Sequence, residues 1–193
     1  MSFQTGTQTE LLYSSVAAGT QLNTFTTEDN LQKTLAAVKI PAGFFFNPQG
    51  AAGKSLTIRA RGRLGTTGAP TFTWSARLLT STTWSAGGVL LGSTAALTAG
   101  TTQTLAPWTL DMDVTLRTLS IGAASTIVSM GEVRSPLGLA SPFVGTIPAN
   151  NTAPINATLD DSLTYYLFIS AACGTSTAAN LIDLQTLKVF GDN

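Results

Sequence analysis

The sequence has no histidine and one cysteine, and only 10% of its 193 residues are charged. Each scarcity excludes something. Without His there is no imidazole base and no His-ligated metal. A lone Cys cannot build an intrachain disulfide framework or a thiolate zinc site. Ten basic residues against ten acidic ones leave a formal charge of zero, whereas general phosphate-backbone binding needs clustered excess Lys and Arg. No apolar run reaches the ~18–20 residues of a membrane-spanning helix. The opening MSFQTGTQTE has no basic stretch followed by an apolar one, so no secretion signal is expected there. No nucleic acid, membrane or cofactor is therefore expected as a partner.

Neutral polar residues fill the place of the missing charge. There are 32 Thr, 16 Ser and 18 Gly against three Glu and four Lys. Thr is β-branched and suits a pleated, half-buried surface, while Glu and Lys, which coat exposed helices, are nearly absent. The expected class is all-β, a single-domain β-sandwich of jelly-roll type with about eight to ten strands and at most one short helix. Near-zero net charge also leaves little repulsion between copies, which suits an assembly.

Period-2 alternation locates the long strands. Over Ser55 to Leu64, the residues Leu56, Ile58, Ala60 and Leu64 share one face, opposite Arg59, Arg61 and Arg63. After the turn GTTGAP (residues 65–70), Phe72, Trp74, Ala76 and Leu78 repeat the pattern, and the pair reads as one long hairpin. A third row holds Trp108, Leu110, Met112, Val114 and Leu116, with Asp111 and Asp113 on its other side. Leu163–Cys173 and Leu181–Phe190 supply two more long strands, and five shorter candidates are Glu10–Val16, Leu22–Phe25, Leu35–Ile40, Val89–Leu91 and Ile127–Val133. The stretch Thr27–Val38 also admits a short helix capped by Thr27, although a strand over its second half fits better. Residues 134–154, with Pro at 136, 142, 148 and 154, read as a long loop. Its apolar Phe143 and Val144 suggest a packed contact.

Candidate sites are few. Gly50-Ala-Ala-Gly-Lys-Ser55 lacks the first Gly of a phosphate loop and precedes a strand, not a helix. Asp111 and Asp113 are best matched to the Arg59, Arg61 and Arg63 row as cross-strand pairs. An intersubunit contact, or a cation or hydrolytic role, is the lesser alternative. Arg77 extends the basic row if its strand is adjacent. Asp160-Asp161 read as a capped turn, Cys173 as a buried thiol, and the sequons at Asn150 and Asn156 as chance matches. No spacing assembles a nucleophile with a base, so no enzymatic activity is expected.

The segments LLYSS, LNTFTTEDNL, IPAG, GKSLTIRARGRL, TTGAPTFTW, APWTLDMDVTLRTL and LIDLQTLKVF together resemble small structural proteins of tailed-bacteriophage virions. That resemblance implies a capsid decoration (cement) protein on the outer surface of the shell, bound to the major capsid protein and often trimeric. On it, residues 1–9 form an extended segment ahead of a single domain over 10–193. Partner contacts are then expected at Arg59, Arg61, Arg63, Phe143 and Val144. The alternative is a receptor- or carbohydrate-binding module on a tail or head fibre, with Trp84 or Tyr166 stacking on sugar rings.

Overall fold

A β-branched, Thr-rich strand with apolar residues at every second position buries one face only when another sheet covers it. The chain solves this with two antiparallel sheets packed face to face. The computed structural model describes residues 9–45, 54–119, 125–149 and 157–192, and none of them is helical. Sheet one holds β1 (Thr9–Ser14), β2 (Leu22–Asn23), β5 (Ser55–Thr67), β9 (Thr102–Thr118), β10 (Ser125–Arg134), β11 (Val144–Ile147), β12 (Ala157–Leu159) and β14 (Leu181–Asp192). Sheet two holds β3 (Asp29–Asn30), β4 (Val38–Ile40), β6 (Thr71–Leu79), β7 (Val89–Ser93), β8 (Leu97–Thr98) and β13 (Tyr165–Cys173). Eight of these strands have five or more residues, which matches the number the periodicity predicts; the rest are short flanking pieces.

The backbone of sheet one runs β1-β14-β5-β9-β10-β11, and that of sheet two β3-β13-β6-β7. All the apolar rows named above point inward, and Leu56, Ile58, Ala60, Leu64, Phe72, Trp74, Leu110 and Val114 are fully buried. The sheets are joined at the centre by aromatics: Trp74 of β6 lies 5.9 Å from Trp108 of β9 and 5.7 Å from Phe72. A register shift between Leu184 and Thr186 lets β14 bury both Leu184 and Leu187, three residues apart.

Four expectations need correction. First, β5 and β6 are not a hairpin. β5 pairs with β14 and β9, while the turn at Gly68 (φ 77°), Ala69 (φ 54°) and Pro70 carries the chain into the other sheet. Alternation shows that both strands bury a face, but it is the same whether they lie side by side or across the core. Second, the 134–154 stretch is not simply a loop, since β11 inside it pairs with β10 from Gly131 to Arg134. Third, the strand expected over the second half of Thr27–Val38 begins only at Val38, in β4, and Leu31 to Leu35 form turns, so the helical alternative is not taken up either. Fourth, Leu163 precedes β13 and is exposed, with its N–H donated to the Asp160 carbonyl.

Phe44 and Phe45 are buried edge-to-face against each other; Phe46 lies outside the described residues. The sequons at 150–152 and 156–158 begin outside them too, as does the segment 1–8; Thr9 opens β1 opposite Asp192.

Candidate functional site

The outward side of sheet one carries most of the chemistry. Because β5 lies between β14 and β9, each of its outward residues has a neighbour on both sides. Phe190, Thr57, Asp113 and Met130 form one cross-strand row. Lys188, Arg59, Asp111, Glu132 and Thr146 form the next, followed by Thr186, Arg61, Thr109, Arg134 and Val144. The Arg and Asp rows therefore do face each other across a β5–β9 ladder.

The pairing is offset from the register. Arg61, not Arg59, donates to both Asp111 oxygens, at 2.9 and 3.0 Å, and also to the Leu110 carbonyl. Arg63 finds its carboxylate on the other side, in Asp183 of β14. Its Nη2 donates at 2.6 Å and its backbone N–H at 3.0 Å. Arg134 pairs with Glu132. Arg77 does not extend this row: it lies on the outer side of sheet two, where Nε and Nη2 donate to Glu28 at 2.8 and 2.9 Å.

Two of these ion pairs look alike in sequence but differ in depth. The Asp111 side chain is 43% exposed and that of Asp183 only 3%. An exposed pair contributes little, whereas a buried carboxylate left without its partner is costly. Arg63→Met is therefore expected to lower the melting temperature clearly, and Arg61→Met hardly at all. Equal shifts in parallel thermal melts would refute this difference.

Arg59 is the member of the basic row without a carboxylate. Its guanidinium lies over the Phe190 ring at 5.6 Å, with no hydrogen bond or ion pair to another described residue. Next to it, the Thr57 hydroxyl is 2.8 Å from Asp113 Oδ1 and 3.0 Å from Asp192 Oδ2. One hydroxyl proton serves only one of these two carboxylates at a time.

Two depressions meet at Thr57 and Arg59. The smaller, about 190 Å³, reaches Thr9, Phe190 and Asp192. The larger, about 440 Å³, reaches Asp111, Asp113, Met130 and Glu132. Together they form a shallow groove across the strands, of the size that holds small ligands, roughly 300–1,000 Å³.

Elsewhere, Leu137 (66% exposed) and Phe143 (51%) lie in the connection from β10 to β11, and Val144 (37%) opens β11. This end is closed by the Ser135 N–H donating to the Phe143 carbonyl. Trp84 is not a free platform: it packs on Phe168 of β13 at 5.6 Å, with Tyr166 half-buried further along that strand. Phe190, Thr57, Asp192 and Met130 were not visible as a site in the sequence, since they come from three strands far apart in the chain.

Two carboxyls bear on pH behaviour. Burial raises the pKa of Glu28, but hydrogen bonds from Arg77 and Ser170 and the Arg77 charge outweigh it, leaving the pKa below the ordinary value. Its contribution to stability is thus present above the unfolded-state value and lost as pH falls through the folded one. Asp161 is the reverse. Burial raises its pKa, the Phe45 N–H opposes this, and the Asp160 charge adds to it. It favours the fold at low pH and loses that contribution as pH rises through its raised value. Asp161→Asn keeps an acceptor for the Phe45 N–H without a buried charge. It is expected to raise the melting temperature at pH 7, with the gain vanishing in acid; a gain that persists at low pH would contradict this assignment.

Fold and outer face together define an all-β sandwich module with a polar groove on one sheet. No family model matches the chain, and no curated protein does. Among solved structures it is similar to the CBM2 module of the evolved Dit of Lactobacillus casei BL23 phage J-1. The two share 10% identity over 97% of each chain, with a TM-score of 0.38. A likeness this loose carries no function across.

Proposed function

We propose that the chain is a non-enzymatic binding module of a virion, a receptor- or carbohydrate-binding β-sandwich displayed on a tail or head fibre. The groove from Phe190 to Met130 is the observation that carries this reading. It joins two depressions on the face of one sheet and is lined by polar groups, among them Arg59, which has no carboxylate partner among the described residues, and Asp113 and Asp192, which both face the Thr57 hydroxyl. Sites built on strands hold their side chains more firmly than sites on loops. The virion setting rests on the sequence resemblance described above.

A second reading has its own observation, the exposed Leu137, Phe143 and Val144 at one end of the β10–β11 hairpin. Exposed apolar side chains of this kind suit burial between neighbours. On this reading the protein is a capsid decoration protein, a homotrimer bound to the major capsid protein on the outer shell, with Arg59, Arg61 and Arg63 as further contacts. Repetition over the shell would then add avidity to modest single contacts.

Copy number in purified particles separates the two, measured by quantitative mass spectrometry against the major shell protein. A few dozen copies or fewer support the fibre or tail module, and hundreds support decoration. Complete absence removes the virion setting.

A further inference from the structure

The groove on sheet one also indicates what it would bind. Ordinary surface charges on a sheet pair with each other, as Arg61–Asp111 and Arg134–Glu132 do here. The groove floor departs from that pattern. Arg59 has donors without an acceptor among the described residues. Asp113 and Asp192 have acceptors and, among the described residues, share the hydroxyl of Thr57 as their side-chain donor. Surplus donors and surplus acceptors therefore sit side by side. A guanidinium only donates and a carboxylate only accepts, so a ligand that satisfies both must do each in turn at neighbouring atoms. Polyhydroxylated ligands do this.

Charge narrows the class. Over the four cross-strand rows from that of Asp192 to that of Arg61, Lys188, Arg59, Arg61 and Arg134 stand against Asp111, Asp113, Glu132 and Asp192. The two signs balance, so a polyanion gains nothing from the field, and nucleic acid is disfavoured for the same reason. An extended peptide is disfavoured by position, because most of the groove floor lies on β14, β5 and β9, each already paired with a strand on both sides.

Apolar contacts lie at the two ends, Phe190 on β14 and Met130, 60% exposed, on β10. These strands are three inter-strand steps apart, roughly 14 Å at about 4.7–4.9 Å per step. That length suits a short chain of rings more than a single ring.

The geometry points to a neutral oligosaccharide as the ligand of this groove. Arg59, Asp113 and Asp192 would engage its hydroxyls, and Phe190 and Met130 its C–H faces. The inference rests on the receptor- or carbohydrate-binding reading and names its ligand class.

The full chain, labelled with ¹³C at its methionine methyls, is titrated with neutral gluco-, manno- and N-acetylglucosamine oligomers, and with an acidic glycan as comparator. Neutral oligomers are expected to shift Met130, to leave the buried Met112 less affected, and to bind at least tenfold more tightly than their monosaccharides. Asp113→Asn with Asp192→Asn should weaken binding at least tenfold while keeping the wild-type melting temperature, and Arg59→Gln likewise. Trp84→Ala, away from the groove, should bind as wild type. Two results would overturn the ligand class but leave the module reading standing: a Met130 shift with the acidic glycan alone, or neutral binding that survives both groove variants. If no glycan moves Met130 and host cell envelopes also fail to bind, both readings fall.

Discussion

Replacing Trp108 with Ala is expected to cost about 3–5 kcal/mol of folding stability, the range for deleting a large buried aromatic. Trp108 is 1% exposed and contacts Trp74 of the opposite sheet, so it fills the middle of the sandwich where the two layers meet. Removing it opens a cavity between sheets whose strands are fixed by their ladders and cannot collapse to fill it. Trp108→Phe should cost much less. The indole Nε1–H of Trp108 has no acceptor among the described residues, so its loss sacrifices packing but no hydrogen bond. Urea denaturation of the two variants checks this. Similar midpoints for Ala and Phe would show that the contact between the sheets is not what the ring provides.

Gly62→Ala is the second large effect. Gly62 lies on the inward row of β5, in mid-strand, where glycine ordinarily weakens a sheet. The structure shows why it is there. A Cβ at this position would sit 1.9 Å from the Asp183 carbonyl oxygen and 2.5 Å from two atoms of the Trp108 ring. The ring has little room to yield, and the carbonyl belongs to the β14 backbone. Overpacking of this kind typically costs about 1–3 kcal/mol and sometimes more. The fixed backbone oxygen places this case at or beyond the upper end. Because β14 must shift to accept the methyl, the Arg63–Asp183 pair should loosen as well. Combining Gly62→Ala with Trp108→Ala relieves the ring clash, so the double variant should be less destabilised than the two costs added. Strict additivity would mean that the ring and the methyl do not compete for space.

Much of the fold is legible in the sequence because alternation is a local signal. Leu56 to Leu64, Phe72 to Leu78 and Trp108 to Leu116 each announce a strand and its buried face, and all are buried as read. What alternation lacks is any record of the partner strand. That is why β5 and β6 look like a hairpin when they belong to opposite sheets. It also explains β11, only four residues long and set between prolines, where the pattern is too short to stand out.

The charge rows show the same limit. Arg59, Arg61 and Arg63 are visibly a row, but register sends Arg61 to Asp111 and Arg63 to Asp183, leaving Arg59 over Phe190. Asp183 gives no warning in sequence, since it is a single acid within the apolar run LIDLQTL. The groove residues Thr57, Asp113 and Asp192 are joined only by the pairing of three strands distant in the chain.

The groove variant offers the most direct test of how the protein works. The intact wild-type chain and its Asp113→Asn, Asp192→Asn counterpart, matched in melting temperature, would be fluorescently labelled and incubated with cell envelopes of the bacterium that the proposed virion infects. Saturable binding by the wild type, with loss in the variant, is the expected result. Equal binding by both proteins, or none by either, would contradict a recognition site on the outer face of the eight-stranded sheet.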